Sequence, residues 1–308
     1  MTRRPLPTLA YDAITIEGSL FNAEWLAKVA HLEAPRQQPH DYAIPDGLNL
    51  RDEIARAWRM AQAQWLKFQP TLATPGPAAA ERFVTALLET VGFDALEKRA
   101  EPIVLGERSF PISHTQGHVP VLIAAPNEGL DDGHARFGEA GRRRSPFGLL
   151  QEYLNAADAA LWGLVSNGLK LRLVRDNASL TRPAWLEADL ERIFTEERFA
   201  DFSALWLTLH ASRFGCPDAD PADCALEAWR QAGQQAGIRA RDELRRGVER
   251  ALTELGQGFL AEPANADLRA ALIEGRLTPA AYFQQLLRLV YRLIFLLTVE
   301  ERGLLHPP

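Results

Sequence analysis

The sequence predicts an α+β fold that is predominantly helical, with a small α/β unit flanked by helices and followed by an all-helical connector. Three observations predict it. Apolar residues recur at helical spacing over most of the chain. Between Pro102 and Asp176 that period gives way to short apolar runs bounded by Gly, Asn and Pro. Asn167-Gly168 then separates two apolar runs, the strongest short hairpin signal a sequence can carry.

Taken in order, the first residues read as an arm, and Leu20 to Leu32 as an amphipathic helix. Pro35 to Gly47 is a Pro-rich connection, and Leu50 to Phe68 a strong helix carrying Trp58 and Trp65. Thr71 to Pro77, with Pro70 at its edge, breaks the pattern before a helix from Ala78 to Val91, which Gly92 caps. Ile103-Val104-Leu105, Phe110-Pro111-Ile112 and Val119 to Ile123 read as strands. Pro146 to Ala160 reads as a helix, Leu161 to Val165 as a strand, and Leu169 to Val174 as its returning partner. Beyond Asp176 the expected helices are Pro183 to Phe194, Arg198 to Ser212, Ala222 to Gln235, Gly237 to Leu260, Asn265 to Glu274 and Thr278 to Glu301. A hinge is expected at Pro217 to Pro221, which divides the chain into an arm with helices (1–77), an α/β domain with flanking helices (78–216) and a helical connector (217–308).

At 308 residues with 47% apolar content, the chain is long enough for two cores. Its first residues show no secretory leader, so the expected setting is cytoplasmic. The net charge of −6 excludes coating of nucleic acid through bulk charge, so any DNA contact has to be local. Two cysteines, Cys216 and Cys224, match neither a disulfide framework nor a zinc pattern. The apolar run Leu286 to Leu297 is interrupted by two arginines and falls short of the ~20 residues of a bilayer span. No membrane partner is expected. Apolar on nearly every side, that run instead predicts a face for a missing partner, with Leu289, Leu293, Leu296 and Leu297 as candidate interface residues.

Several segments together resemble one family: Ile16-Glu17-Gly18-Ser19-Leu20-Phe21, Pro39-His40-Asp41-Tyr42, Leu150-Gln151-Glu152-Tyr153-Leu154-Asn155, Leu161 to Arg172, His210-Ala211-Ser212-Arg213-Phe214 and Leu289 to Phe295. They are similar to the N-terminal region of type IIG restriction-modification enzymes and of adenine-specific DNA methylases from BREX- and DISARM-like phage-defence systems. The resemblance implies double-stranded DNA and a methyltransferase domain or downstream subunit as partners. S-adenosylmethionine is expected only in that other domain, because the Asn/Asp-Pro-Pro-aromatic motif is missing and the only Pro-Pro pair is Pro307-Pro308. Arg136 to Gly141 likewise lacks the strand-then-helix setting of a cofactor loop.

The resemblance also implies that the α/β unit is nuclease-like, of the restriction-endonuclease type, in which acidic residues on adjacent strands hold Mg²⁺ near a lysine. The positions that should supply them read Ser113-His114 and Val121 to Ala125, so no catalytic residue and no metal ligand is assigned. Asp131 and Asp132 lie just beyond and are either displaced ligands or turn residues between Gly129 and Gly133. His114 and His118 have the spacing of two ligands on a helix but sit in a β pattern without a third. Gln151 either supports the nuclease-like site, as a Gln does in the related nucleases, or is a surface residue of its helix.

The candidate DNA contacts are Arg142, Arg143 and Arg144, a cationic run directly ahead of a helix start, for which the rival reading is a solvated loop. Lys170 and Arg172 share one strand face and could extend the same patch. The arginines of the helix from Arg239 to Arg250 alternate with acids and read as intrahelical pairs. The expected function is therefore a non-catalytic DNA-binding or docking module of a restriction-modification or defence methylase. The alternatives are a Mg²⁺-dependent endonuclease with displaced ligands and a helical protein-interaction module.

Overall fold

The computed structural model describes residues 11–18, 20, 21, 23–138, 141–176, 184–216, 219–301 and 304. Of the sequence expectations, the start of the helix at Pro183, the first two hinge residues 217 and 218, and Pro307-Pro308 lie outside the described residues. The chain divides into two compact units, one running to Gln234 and the other from Gln235. The fold is mixed α+β, as expected. The boundary, however, lies inside a single long helix, α7 (Ala225–Ala261), instead of at the prolines near 217–221.

The first unit is organised by a seven-stranded mixed sheet in the order β1 (Ile14–Glu17), β9 (Trp185–Asp189), β8 (Lys170–Arg175), β7 (Trp162–Ser166), β6 (Val119–Ile123), β5 (His114–Gln116) and β2 (Glu97–Lys98). All neighbours are antiparallel except β6 and β7, which run parallel with Val121 opposite Leu164. A parallel pair needs a crossover connection. The chain supplies it through α4 (Pro146–Ala156), whose N-cap Ser145 accepts a hydrogen bond from the backbone N–H of Gly148. A separate hairpin pairs β3 (Ile103–Leu105) with β4 (Arg108–Phe110).

Side-chain alternation along the strands builds a core on each face of the sheet. Val119, Val121, Ile123, Trp162, Leu164, Leu171, Leu173, Leu186 and Ala188 point to one side. There they meet α1 (Ala23–Ala30), α2 (Leu50–Phe68), α3 (Pro77–Thr90), α5 (Leu190–Thr195) and α6 (Phe199–Leu209), including the aromatic cluster of Trp58, Trp65, Phe68, Phe83, Phe194 and Phe202. Leu122, Ala124, Val165 and Val174 point to the other side, against Leu149, Leu150, Tyr153 and Leu154 of α4 and Phe110 of β4.

Two strands stand where the sequence predicts something else. Ile14–Glu17 is an edge strand instead of part of an arm, so the first 77 residues contribute to the same sheet as the α/β segment. Trp185–Asp189 is a strand instead of the first half of a helix, paired on both sides by β1 and β8. Its Leu-Glu-Ala-Asp composition favours a helix, and pairing within the sheet overrides that preference. The helix begins only after Asp189, whose side chain accepts from the Arg192 N–H as an N-cap.

The hairpin at Asn167-Gly168 is present. The Asn167 side-chain oxygen accepts from the N–H groups of Leu169 and Lys170, and Gly168 sits at φ +85°. A Cβ at Gly168 would stand 2.7 Å from Cζ of the buried Phe68, so both conformation and space require glycine there.

The second unit holds the rest of α7, α8 (Ala266–Ile273) and α9 (Pro279–Glu301). Within it the Tyr282 hydroxyl donates to the Gly256 carbonyl, and on α9 only Leu286 and Val290 are buried. On α7, Arg245 pairs with Glu249 at 3.0 Å, an intrahelical pair of the expected kind. The apolar run of α9 belongs to a helix of 23 residues, longer than the run itself, and among the described residues it is the one helix long and apolar enough to cross a membrane. Arg288 and Arg292 flank its midpoint, and each would cost about 2.5–3.5 kcal/mol at a bilayer centre.

Candidate nucleic-acid interface

At the carboxyl end of β6 a cleft of about 310 Å³ opens between α3, the β2–β5 pair and the turn Ala135–Phe137. Glu81 enters from α3, Lys98 from β2, Arg99 from the residue after it, Ser113 and His114 from the start of β5, Ile123 from the end of β6, and Arg136 from the turn. Pro77, Pro111 and Phe137 supply apolar wall. The backbone holds these groups in register: the Arg99 N–H donates to the Ser113 carbonyl, and the Ile123 N–H donates to Ser113 Oγ at 2.9 Å. Ser113-His114 and Val121 to Ala125, the two segments that the resemblance sets side by side, are thus neighbours across the β5–β6 pair.

The chemistry at this end is cationic. Glu81 is the only carboxylate lining the cleft among the described residues, and it binds Lys98 at 2.6 Å while lying 3.4 Å from Nε2 of His114. His114 is buried, and Nδ1 has no hydrogen-bond partner among the described residues. Burial pushes the His114 pKa below its ordinary value; Glu81 opposes that shift and Lys98 adds to it. Arg136 donates to the Ile123 carbonyl, lies 3.4 Å from Glu128 and stacks on Phe137, which fixes its guanidinium at the cleft edge with further N–H donors to offer. Arg99 is exposed and, among the described residues, engages in no ion pair.

The arginine run belongs to the same loop system. His134 and Arg144 form an isolated backbone bridge, and a Cβ at Gly133 would lie 3.3 Å from Cβ of Arg143, so this segment runs alongside the strand leading into the Arg136 turn. Arg142 and Arg143 are exposed. Arg144 is not: its side chain is mostly buried and lies 3.5 Å from Glu152 of α4, which also pairs with Arg108. Of the three, Arg142 and Arg143 are placed to meet a ligand.

Lys170 and Arg172 do share a face, as alternation requires, but Arg172 is buried on it and both are paired with carboxylates. Glu187 stands opposite Arg172 in the β8–β9 register and accepts from Nε of Arg172 at 2.5 Å and from Lys170 at 2.8 Å. Asp131 takes both terminal nitrogens of Arg172 at 2.7 and 2.6 Å. The guanidinium is buried and sandwiched by Trp185, 4.4 Å away, and Phe147, 5.2 Å away. Burial disfavours its charge, and the hydrogen bonds to Asp131 and Glu187 outweigh that, so its pKa lies above the ordinary value. The adjoining cleft of about 300 Å³ adds Asp132, Asp189 and Glu191, giving it an acidic surround that repels phosphate. This corrects the expectation for Arg172, which the cross-strand carboxylate, invisible until β9 is known to be a strand, holds in the interior; Lys170 pairs with the same carboxylate while its side chain stays 47% exposed.

Asp131, one of the two displaced-ligand candidates, is thus an arginine partner whose carboxyl is held below its ordinary pKa by Arg172, against the effect of partial burial. No group of three or more His, Cys, Asp or Glu side chains able to hold a metal converges among the described residues. Gln151 is buried on α4 and donates to Asn155 and to the Arg175 carbonyl at the far end of β8. It does not line the cleft. His118 lies between β5 and β6 with Nε2 2.9 Å from the Phe214 carbonyl, and Cys216 and Cys224 are free thiols.

Two of the segments that carry the resemblance meet in packing. Arg213 is buried, stacks 3.9 Å from the Tyr42 ring and donates to the carbonyls of Arg36 and Asp41, while the Tyr42 hydroxyl donates to the Leu207 carbonyl. Pro39 to Tyr42 and His210 to Phe214 therefore lock one helical joint. On α9, Leu293, Leu296 and Leu297 are exposed and Leu289 is half-buried, one stripe along the helix. The residues that sequence reasoning missed are Glu81, Lys98, Arg99 and Arg136. They are charges spread over 56 positions, and only the fold brings them together.

No protein family, no curated protein and no solved structure matches this chain.

Proposed function

We propose that the protein is a DNA-contacting module without its own catalytic centre, of the kind that serves a restriction-modification or phage-defence adenine methylase. The observation that carries this reading is the cationic cleft with its flanking arginines at the carboxyl end of β6, reached through the strand order β2-β5-β6, the α4 crossover and the parallel β7. A restriction-nuclease-like unit keeps its metal-binding acids on such adjacent strands. Here the same neighbourhood presents Lys98, Arg99 and Arg136 with one carboxylate, which attracts phosphate and gives Mg²⁺ too few hard ligands. Arg142 and Arg143 extend the cationic rim, and arginine forks are suited to phosphate oxygens. The exposed stripe Leu293, Leu296 and Leu297 of α9 is the docking face for a methyltransferase domain or subunit, which would carry S-adenosylmethionine.

The test is duplex binding by fluorescence anisotropy with charge-reversed variants. The double variant R142E/R143E weakens binding by about tenfold or more, since each lost phosphate contact removes a counterion-release contribution. K170E leaves it unchanged. Equal loss in both variants, or none in R142E/R143E, rejects the reading.

A further inference from the structure

We infer that the cleft between α3 and the Ala135–Phe137 turn receives a terminal phosphate, the monoester of a nucleotide or of a nucleic-acid strand end, with Arg99, Arg136 and Lys98 as its cationic contacts. This deepens the preceding reading and rests on it for the choice of a nucleic-acid ligand. The first argument is size. A space of about 310 Å³ lies at the lower end of small-ligand sites and admits a mononucleotide, whereas a duplex could only lie across its mouth.

The second argument is charge. Three cations, Lys98, Arg99 and Arg136, face Glu81 in the lining and Glu128 beside Arg136 at its edge, so the site carries a surplus of one positive charge before a ligand arrives. A phosphodiester brings a single negative charge. A phosphomonoester brings about 1.5–2 at pH 7 and three terminal oxygens, one for each of the three cationic side chains. The third argument is that Arg136 is held in place before any ligand arrives. Arg136 is anchored by the Ile123 carbonyl, Glu128 and the Phe137 ring, and the backbone of Arg99, tied to the Ser113 carbonyl, places its exposed side chain at the cleft. Lys98 is occupied by Glu81 at 2.6 Å, so the carboxylate holds the place that a ligand oxygen would take and competes with it.

That competition gives the site a gain-of-function test. Full-length protein is titrated with adenosine 5′-monophosphate, adenosine, inorganic phosphate, short blunt duplexes with and without 5′-phosphates, and closed circular plasmid. Adenosine 5′-monophosphate and the phosphorylated duplex bind about tenfold tighter than adenosine and the unphosphorylated duplex. In E81Q, which frees Lys98, the preference grows several-fold; in R99A/R136A it disappears. Binding of inorganic phosphate as tight as that of the nucleotide assigns the site to free phosphate and overturns the nucleotide part of the inference. Equal binding of phosphorylated and unphosphorylated ends, with no response to E81Q, overturns the whole of it. If that occurs while plasmid still binds, the DNA-contact reading survives alone. If ends bind and plasmid does not, the terminal-phosphate site stands and the duplex reading falls.

Discussion

Replacing Arg172 with Met separates a structural arginine from a DNA-binding one. The side chain of Arg172 is 5% exposed, and its partner Glu187 is 10% exposed. Methionine keeps the apolar contact with Trp185 and Phe147 but leaves Glu187 with Lys170 alone, at 2.8 Å on the more exposed side. Breaking a buried pair by removing one partner costs about 3–5 kcal/mol, and the remaining lysine places this case at the lower end, about 3 kcal/mol. Asp131, with its side chain 66% exposed, returns to water at little cost, so D131A costs under about 1 kcal/mol. For a unit of this size, a loss of about 3 kcal/mol lowers the melting temperature by about 6–12 °C, read by circular dichroism. A double-mutant cycle of R172M with E187Q should show a coupling of about 2 kcal/mol, because the second change removes the charge that the first left stranded. Duplex affinity stays unchanged. A destabilisation below about 1 kcal/mol together with weakened DNA binding would refute the reasoning and return Arg172 to the interface.

Two further perturbations test the scaffold. G168A should destabilise by about 2–4 kcal/mol in urea unfolding, from the positive φ and the clash with Phe68, and F68L in the same chain should restore part of the loss; an unchanged midpoint contradicts the placement of the hairpin against α2. Acidification tests His210, whose pKa burial and then Arg213 push down from 6.5 to about 4. The folded state therefore takes up its proton later than the unfolded chain does, so the stabilisation is complete above pH 6.5 and is lost as pH falls from 6.5 toward 4, by roughly 3 kcal/mol. His114, shifted down in the same way by burial, adds to the loss below pH 6.5. Urea midpoints across the range should flatten in H210Q; an identical slope in that variant assigns the acid sensitivity elsewhere.

Much of the architecture was legible in the residues. The helices Leu50–Phe68 and Pro77–Thr90, the strand Val119–Ile123 and the Asn167-Gly168 hairpin follow from apolar spacing, proline breaks and turn chemistry that act locally. What stayed hidden depends on pairing between distant segments. Ile14–Glu17 and Trp185–Asp189 are strands because each lies against the other across some 170 residues, and no local signal in Leu-Glu-Ala-Asp announces it. The site shows the same division. Arg142 and Arg143 are visible as a run, whereas Lys98, Arg99 and Arg136 become one cleft only once α3, β5 and the turn are assembled around the end of β6. Conversely, Lys170 and Arg172 look like a cationic face until Glu187 is placed opposite them.

Salt dependence of duplex binding tests the central claim most directly, because the proposed mode of recognition is phosphate contact by the cleft and its rim. With Arg99, Arg136, Arg142 and Arg143 each neutralising one phosphate, a plot of log K against log salt should fall with a slope of about −3.6, and R142E/R143E should make it shallower by about 2. Absence of duplex binding at low salt, or an affinity that does not change with salt, would contradict the account.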